Sequence, residues 1–421
     1  MRLINCFLYI MKSLKIVFFI IVLFKCFGCN QAKIKPEKID EISKLIQFKV
    51  ELPDIKSLNP LLLSEFTDSI EYVQLETLPQ CVLPPNINAY LTNDFIFTIT
   101  RSNIYQFDTN GKFIRQIGRV GRGPGEFLLG RVGFDDMKRR ILILSSNSIS
   151  PLIFDFNGKF LGNINDSILA SCFGTIELFG VGNGYFVHTV QPIDINHQWG
   201  CKPFEIITFD YLNNKLTQTL TNRMVCKVEN SMHYQTFRPS LQSLSKRDSL
   251  FYYKSFYNDT LYCFNNNNIQ PYAVVDFGKR KFPCSILNMS DQFIQNEIIG
   301  KMRIIEISIQ KNCILLNIII HKSDGYDHFI CKYDMKYNTT TYHSNTIEND
   351  IDGGQSLEIS SLNKKITPVY FENDYENVEK YFSKLDKTDL KYPELQEKFK
   401  QMQINRKDEM NPMLMILHFK K

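Results

Sequence analysis

The sequence predicts an all-β fold: a six-bladed β-propeller behind an N-terminal signal and lipid-anchor segment, with a small helical insert near the C-terminus. Three observations carry this prediction. A hairpin recurs along the chain, the composition suits strands, and strand-like segments near both ends can close a ring.

Composition comes first. In 421 residues Phe (33) and Tyr (20) are abundant while Trp occurs once, and Ile, Val and Leu fill many short apolar runs. Aromatic and β-branched side chains fit a pleated, half-buried surface. Charged residues make up 22%, an ordinary share for a folded chain.

The repeat decides the architecture. Residues 107–117 read FDTNGKFIRQI, and residues 154–164 read FDFNGKFLGNI. Apolar runs flank Asn110-Gly111 and Asn157-Gly158, a pair suited to the type I′ turn of a β-hairpin. Weaker copies follow at 206–220, 260–277 and 329–343. A further strand pair precedes each copy, as at Asn93–Thr98, Arg140–Leu144, Gly184–Val190, Leu250–Lys254 and Asn312–His321. Four short strands in each unit of roughly 45–55 residues is the arithmetic of propeller blades.

Five hairpins are visible, and the ends supply a sixth unit. Ile70–Leu75 (IEYVQL) and Pro412–Phe419 (PMLMILHF) both read as strands. Pairing them would close the ring and remove exposed edges. Residues 373–410 between them carry a helical pattern, with Tyr392-Pro393-Glu394 as a helix start. They read as an insert in the last blade.

The N-terminus reads as a leader. Lys12 and Lys15 precede an unbroken apolar run, Ile16–Phe24, and Cys26-Phe27-Gly28-Cys29-Asn30 follows. The run is too short to span a bilayer, which takes about 20 apolar residues. Gly28-Cys29 resembles a lipobox that leaves Cys29 as the lipidated N-terminus. Met11 is the more natural start. The expected organisation is signal peptide 1–29, tether 30–57 and propeller 58–421.

Without Arg2, Lys12, Lys15 and Lys25 of the leader, the net charge of +5 falls to about +1. No dense Lys/Arg run exists, so a nucleic-acid footprint is not supported. Beyond the leader lie Cys81, Cys172, Cys201, Cys226, Cys263, Cys284, Cys313 and Cys331, with no C-x-x-C and no metal spacing. They read mainly as buried thiols, export leaving one or two bridges open.

The segments Ser69-Ile70-Glu71-Tyr72, Leu75-Glu76-Thr77, Gly121-Arg122-Gly123-Pro124-Gly125-Glu126-Phe127, 349–354 (NDIDGG) and Asn411-Pro412 carry a resemblance. Over residues 60–421 the chain resembles the exported six-bladed β-propeller lipoproteins of Gram-negative gut anaerobes, relatives of NHL-repeat and TolB-like propellers. The resemblance implies a fold and a compartment, the periplasm or outer membrane. Members are mostly of unassigned function, so it implies no reaction.

Three segments hold candidate site residues. Gly118–Gly125 is glycine-rich but lacks the Gly-Lys-Ser/Thr and helix start of a phosphate cradle, so it reads as a blade-to-blade crossing. Arg119, Arg122 and Glu126 are its candidate ligand contacts. Asp350 and Asp352 faintly resemble a calcium loop, without the full set of acids or a distal Glu. His321 to His328 holds two His and two Asp across a turn expected at Asp324-Gly325, with spacing unlike a zinc site.

No His-Glu-x-x-His and no Gly-x-Ser-x-Gly occurs. The residues therefore favour a binding or scaffold module of the cell envelope over an enzyme. Its ligand would be a small molecule, glycan, peptide or envelope protein. A propeller hydrolase or lyase, calcium-dependent or not, is the alternative, because propeller sites are assembled from several blades. A sensor or accessory partner of a membrane protein is the third reading. No cofactor other than calcium is indicated. The expected protein is a monomer that meets the membrane only through its lipid.

Overall fold

The computed structural model describes residues 45–84, 87–145, 151–164, 175–182, 185–190, 204–213, 215–221, 244–247, 250–254, 259–265, 268–283, 296–369, 390–404 and 410–420. The chain divides into Met1–Lys44 and Leu45–Lys421, and the description concerns the second unit. Cys29, the segment before residue 45 and much of the expected insert (373–389 and 405–409) lie outside the described residues.

The repeated hairpins form, and the repeated Asp explains them. Asp108 Oδ1 accepts from the N–H groups of Asn110 (2.9 Å) and Lys112 (2.8 Å). Asp155 Oδ1 does the same for Asn157 (3.0 Å) and Lys159 (2.8 Å). Only the glycines take positive φ, Gly111 at 84° and Gly158 at 81°. The turns are therefore not type I′, which needs positive φ at both central residues. The Asp carboxylate caps a turn that ends in a left-handed glycine and a bulge in the ladder. Asp210 and Asp334 hold their hairpins in a similar way, each accepting two N–H groups.

Each hairpin belongs to a sheet of consecutive antiparallel strands. The first sheet holds Asn88–Leu91, Phe95–Ile99, Ile104–Asp108 and Phe113–Ile117. The second holds Leu129–Asp135, Arg140–Ser145, Leu152–Asp155 and Phe160–Asn163. The third holds Thr175–Gly182, Tyr185–Val190, Phe204–Asp210 and Lys215–Thr221. The fourth is built from Leu244–Arg247, Leu250–Lys254, Thr260–Asn265 and Asn268–Asp276. The fifth is built from Met302–Ile309, Cys313–Lys322, Gly325–Asp334 and Thr339–His343. These are five blades in a propeller-like arrangement. Opening strands of neighbouring sheets meet, as do Leu129–Asp135 with Thr175–Gly182 and Leu244–Arg247 with Met302–Ile309.

The two segments expected to close the ring, near Ile70–Leu75 and Pro412–Phe419, pair as the sequence predicts. Thr67–Gln74 runs antiparallel to Met413–Phe419, from Gln74 opposite Met413 to Thr67 opposite Phe419. Ile366–Val369 pairs on the other side, so Met413–Phe419 is the middle strand of a three-stranded closing sheet.

Apolar clusters lie between adjacent sheets. Phe97, Ile117, Phe134, Ile141 and Phe154 fill the space between the first two. Phe264 and Phe329 are also fully buried. Phenylalanine therefore supplies much of the bulk expected from the composition. Cys81, Cys263, Cys313 and Cys331 are free and buried, in line with the thiol reading, while the other four cysteines lie outside the described residues. Burial pushes the Cys263 thiol up to about 11 and the Cys313 thiol up to about 12.

The tether boundary differs from expectation. Ile46–Lys49, inside the segment read as a tether, is a strand that pairs in parallel with Asn268–Asp276. It covers the outer edge of the fourth sheet. Phe48 stacks on Tyr333 at 4.2 Å, and Tyr342 Oη accepts from the Glu51 N–H at 2.8 Å. Leu61–Leu62 then pairs in parallel with Ile347–Glu348. Residues 46–49 and 55–57 thus already hold regular structure, ahead of the expected start at 58.

Two helices matter here. Helix α1 (Ile359–Lys364) packs on the opening strands of the fourth, fifth and closing sheets. Helix α2 (Pro393–Ile404) starts at the expected proline, between the last two described strands.

Candidate functional site

The crossing loop is built around Glu126. Arg119–Val120 pairs in parallel with Glu126–Phe127, and the Gly123 N–H donates to Glu126 Oε2 at 2.9 Å. A Cβ on Gly121 would lie 2.0 Å from that same oxygen. Glu126 is therefore a structural member of the loop, and Arg119 and Arg122 are exposed on its surface. Gly118 (φ 63°) and Gly125 (φ 75°) hold left-handed backbone, whereas Gly123 does not.

The segment weighed for calcium is a buried lock. Asp352 Oδ2 accepts from Tyr72 Oη at 2.8 Å. Asp352 Oδ1 accepts from Asn349 Nδ2 at 2.8 Å and from the Gly354 N–H at 2.9 Å. Burial pushes the Asp352 carboxyl above the usual range, and these hydrogen bonds oppose the rise. Asp350 Oδ1 accepts from the Ser64 N–H at 2.8 Å. Among the described residues, no group of three or more His, Cys, Asp and Glu side chains is placed to hold a metal ion.

The hairpin from His321 to His328 turns at Ser323-Asp324, with Lys322 opposite Gly325, one residue earlier than expected. His321 faces Tyr326, and His328 faces Ile319, which itself pairs with Arg303. Cross-strand partners share a face, so Arg303, His321, Tyr326 and His328 lie on one side of the fifth sheet. The Arg303 guanidinium sits 5.3 Å from the Phe282 ring, and His321 packs on that ring at 5.4 Å. Burial first, then Arg303, lowers His321 to about 4. Burial lowers His328 as well, against Asp327 and Glu358.

Glu306 joins the same face. A register shift after Ile304 places it opposite Asn317, and such bulges re-aim side chains. Glu306 is 1% exposed and Asn317 is 7% exposed. Asn317 Nδ2 donates to Glu306 Oε2 at 3.2 Å. Glu306 Oε1 and Asn317 Oδ1 have no hydrogen-bond partner, and neither do His321 Nε2 and His328 Nδ1. Burial pushes the Glu306 carboxyl up; hydrogen bonding with Asn317 and Ser360 opposes this, and the neighbouring charge of Glu358 adds to it.

Ser360 connects this cluster to a pocket. The pocket, of about 370 Å³, lies between α1, the first sheet and the closing sheet. Asn88, Gln355, Glu358, Ser360, Ser361 and Thr367 give it a polar lining. Helix α1 is held in place by Asn363, whose Nδ2 donates to the Ile307 carbonyl at 2.8 Å and whose Oδ1 accepts from Ser245 Oγ at 2.8 Å.

None of the residues singled out from sequence lines this pocket. The buried pair beside it did leave a signal in the sequence: one acid interrupts the apolar run MRIIEISI, and one amide interrupts CILLNIIIH. Opposed across a ladder, those two breaks make one buried polar pair.

No described helix is long and apolar enough to cross a membrane. Among solved structures, the chain is similar to the "Putative exported protein" of Bacteroides fragilis NCTC 9343, with 16% identity, TM-score 0.55, and coverage of 90% of this chain and 100% of that one. A member of the duf4221 family from Bacteroides vulgatus matches with 11% identity and TM-score 0.42, over 84% of this chain and 98% of that one. No curated protein matches. The family described as "Domain of unknown function (DUF4934)" matches residues 45–418, and the chain belongs to it.

Proposed function

We propose that this protein is an exported, lipid-anchored binding propeller of the cell envelope that takes a small polar ligand in the pocket beside α1. The observation that carries the binding reading is the juxtaposition at Ser360. A polar pocket meets a sheet face whose buried acceptors lack partners. Native proteins rarely leave such groups unsatisfied, and a ligand is one way to satisfy them. Export is supported by the leader logic around Cys29 and agrees with the name of the Bacteroides fragilis neighbour. Counting the three-stranded closing sheet as a blade gives the six-bladed ring of the NHL-repeat and TolB-like propellers.

One set of preparations tests both parts. The wild type is expected in the membrane fraction, and Cys29→Ala in the soluble periplasmic fraction. In calorimetry against small polar compounds, Ser356→Trp in the pocket lining is expected to abolish the binding seen with wild type. A wild type that fractionates as soluble and unlipidated overturns the anchor. Binding that survives Ser356→Trp overturns the pocket.

A further inference from the structure

The pocket reading leaves open what chemistry its inner wall selects. Glu306 is almost wholly buried, and one of its oxygens has no partner. Beside it, the amide oxygen of Asn317 is equally without a donor. Ser360, within hydrogen-bonding reach of Glu306, is the residue shared with the pocket. Two oxygens behind the pocket wall, one of them on a carboxylate, thus lack a hydrogen-bond partner, and the Ser360 hydroxyl lies beside Glu306.

The number and type of these oxygens limit the guest. A calcium ion takes six to eight oxygens, and among the described residues no cluster of acids supplies them. A primary ammonium has three N–H donors and no acceptor. It matches one carboxylate oxygen, one amide oxygen and one hydroxyl, and it brings the positive charge that a buried carboxylate lacks. A neutral hydroxyl offers one donor and would leave at least one acceptor unmet.

We propose that Glu306, Asn317 and Ser360 form an ammonium subsite behind the pocket, so that the ligand is a primary amine. This rests on the pocket being the binding site. The ammonium enters past Ser360 and donates to Glu306 Oε1 and Asn317 Oδ1. Glu358 and Lys364 both line the pocket, so the path carries one charge of each sign and Glu306 supplies the selective negative charge.

Calorimetry on the purified full chain tests this with two amines and their neutral counterparts: glucosamine against N-acetylglucosamine, and putrescine against 1,4-butanediol. At least one amine is expected to bind tenfold or more tightly than its counterpart. The pair that shows the difference tells an amino sugar from an aliphatic amine. Glu306→Gln keeps the shape and removes the charge, and is expected to weaken the amine at least tenfold. Neutral compounds that bind as well as the amines, or a Glu306→Gln variant that binds the amine unchanged, overturn the subsite. In either case the pocket reading stands if Ser356→Trp still blocks binding. Absence of binding by all four compounds overturns the subsite, and the pocket reading is then judged by its own compound panel. Should Glu306→Gln fail to fold, the comparison of amine with neutral counterpart on the unaltered chain decides alone.

Discussion

His321 shows how one residue's surroundings set its response to acid. It is 8% exposed, packed on Phe282 and close to the Arg303 guanidinium. Its folded value of about 4 lies below the ordinary histidine value. The folded state therefore binds the proton more weakly than the unfolded chain. Stability from this group is full above about pH 6.5 and is lost as pH falls toward the folded value. His328 is shifted in the same direction and adds to the loss. Acidifying from pH 7 to pH 4 is expected to remove on the order of 3 kcal/mol through His321. Urea unfolding at a series of pH values measures this. His321→Leu should flatten the acid limb; an unchanged limb would assign the acid sensitivity elsewhere.

At the scale of elements, the crossing between the first two sheets depends on backbone angles at particular glycines. Gly118 and Gly125 have positive φ, and a Cβ on Gly118 would come within 2.4 Å of the Phe127 ring. Gly123 has neither constraint: its nearest obstacle is the flexible end of Glu126 at 3.1 Å. Gly118→Ala should thus cost roughly 1–3 kcal/mol, and Gly123→Ala less than about 1 kcal/mol. Chemical denaturation of the two variants checks the order, and equal costs would refute the account. The same loop shows what was legible in the sequence. That it is a crossing followed from its missing helix and Lys-Ser/Thr, but which glycines bend it depends on Phe127 and Phe160, contacts made only after folding. The hairpins were legible because Asn-Gly and flanking apolar runs are local signals. Their turn class was not, because it depends on the Asp108 and Asp155 carboxylates capping N–H groups. Ile46–Lys49 escaped notice because its parallel partner lies more than 200 residues further along the chain. Glu306 and Asn317 became a pair only through a register shift.

For the whole molecule, the segments that carry the family resemblance, Gly121–Phe127 apart, meet where Thr67–Gln74 and Met413–Phe419 pair. Glu76 accepts from the Phe113 N–H of the first hairpin at 2.8 Å. Thr77 Oγ1 accepts from the Asn411 N–H at 2.8 Å. Asn411 Nδ2 donates to the carbonyls of Glu76 (2.7 Å) and Cys81 (2.8 Å), and its Oδ1 accepts from the Leu83 N–H at 2.8 Å. Tyr72 reaches Asp352 from the same sheet. These motifs therefore build the closure, and Gly121–Phe127 builds a crossing between sheets, which explains why they identify the fold and are silent on the ligand. The last strand is central to that closure. Met413, Leu414 and Met415 are fully buried, and Met413–Phe419 has a partner on each side. Deleting residues 411–421 would remove the Asn411 links and separate Thr67–Gln74 from Ile366–Val369, leaving two unpaired edges and a bared apolar cluster. Unpaired edges of this kind recruit other chains. The truncated protein is expected to lose its cooperative thermal transition and to scatter light at concentrations where the full chain stays clear. Asn411→Ala alone should leave the strand in place while removing several buried hydrogen bonds, a loss of roughly 2–4 kcal/mol. A truncation that remains soluble and melts cooperatively would show that the sheets hold together without the C-terminal strand.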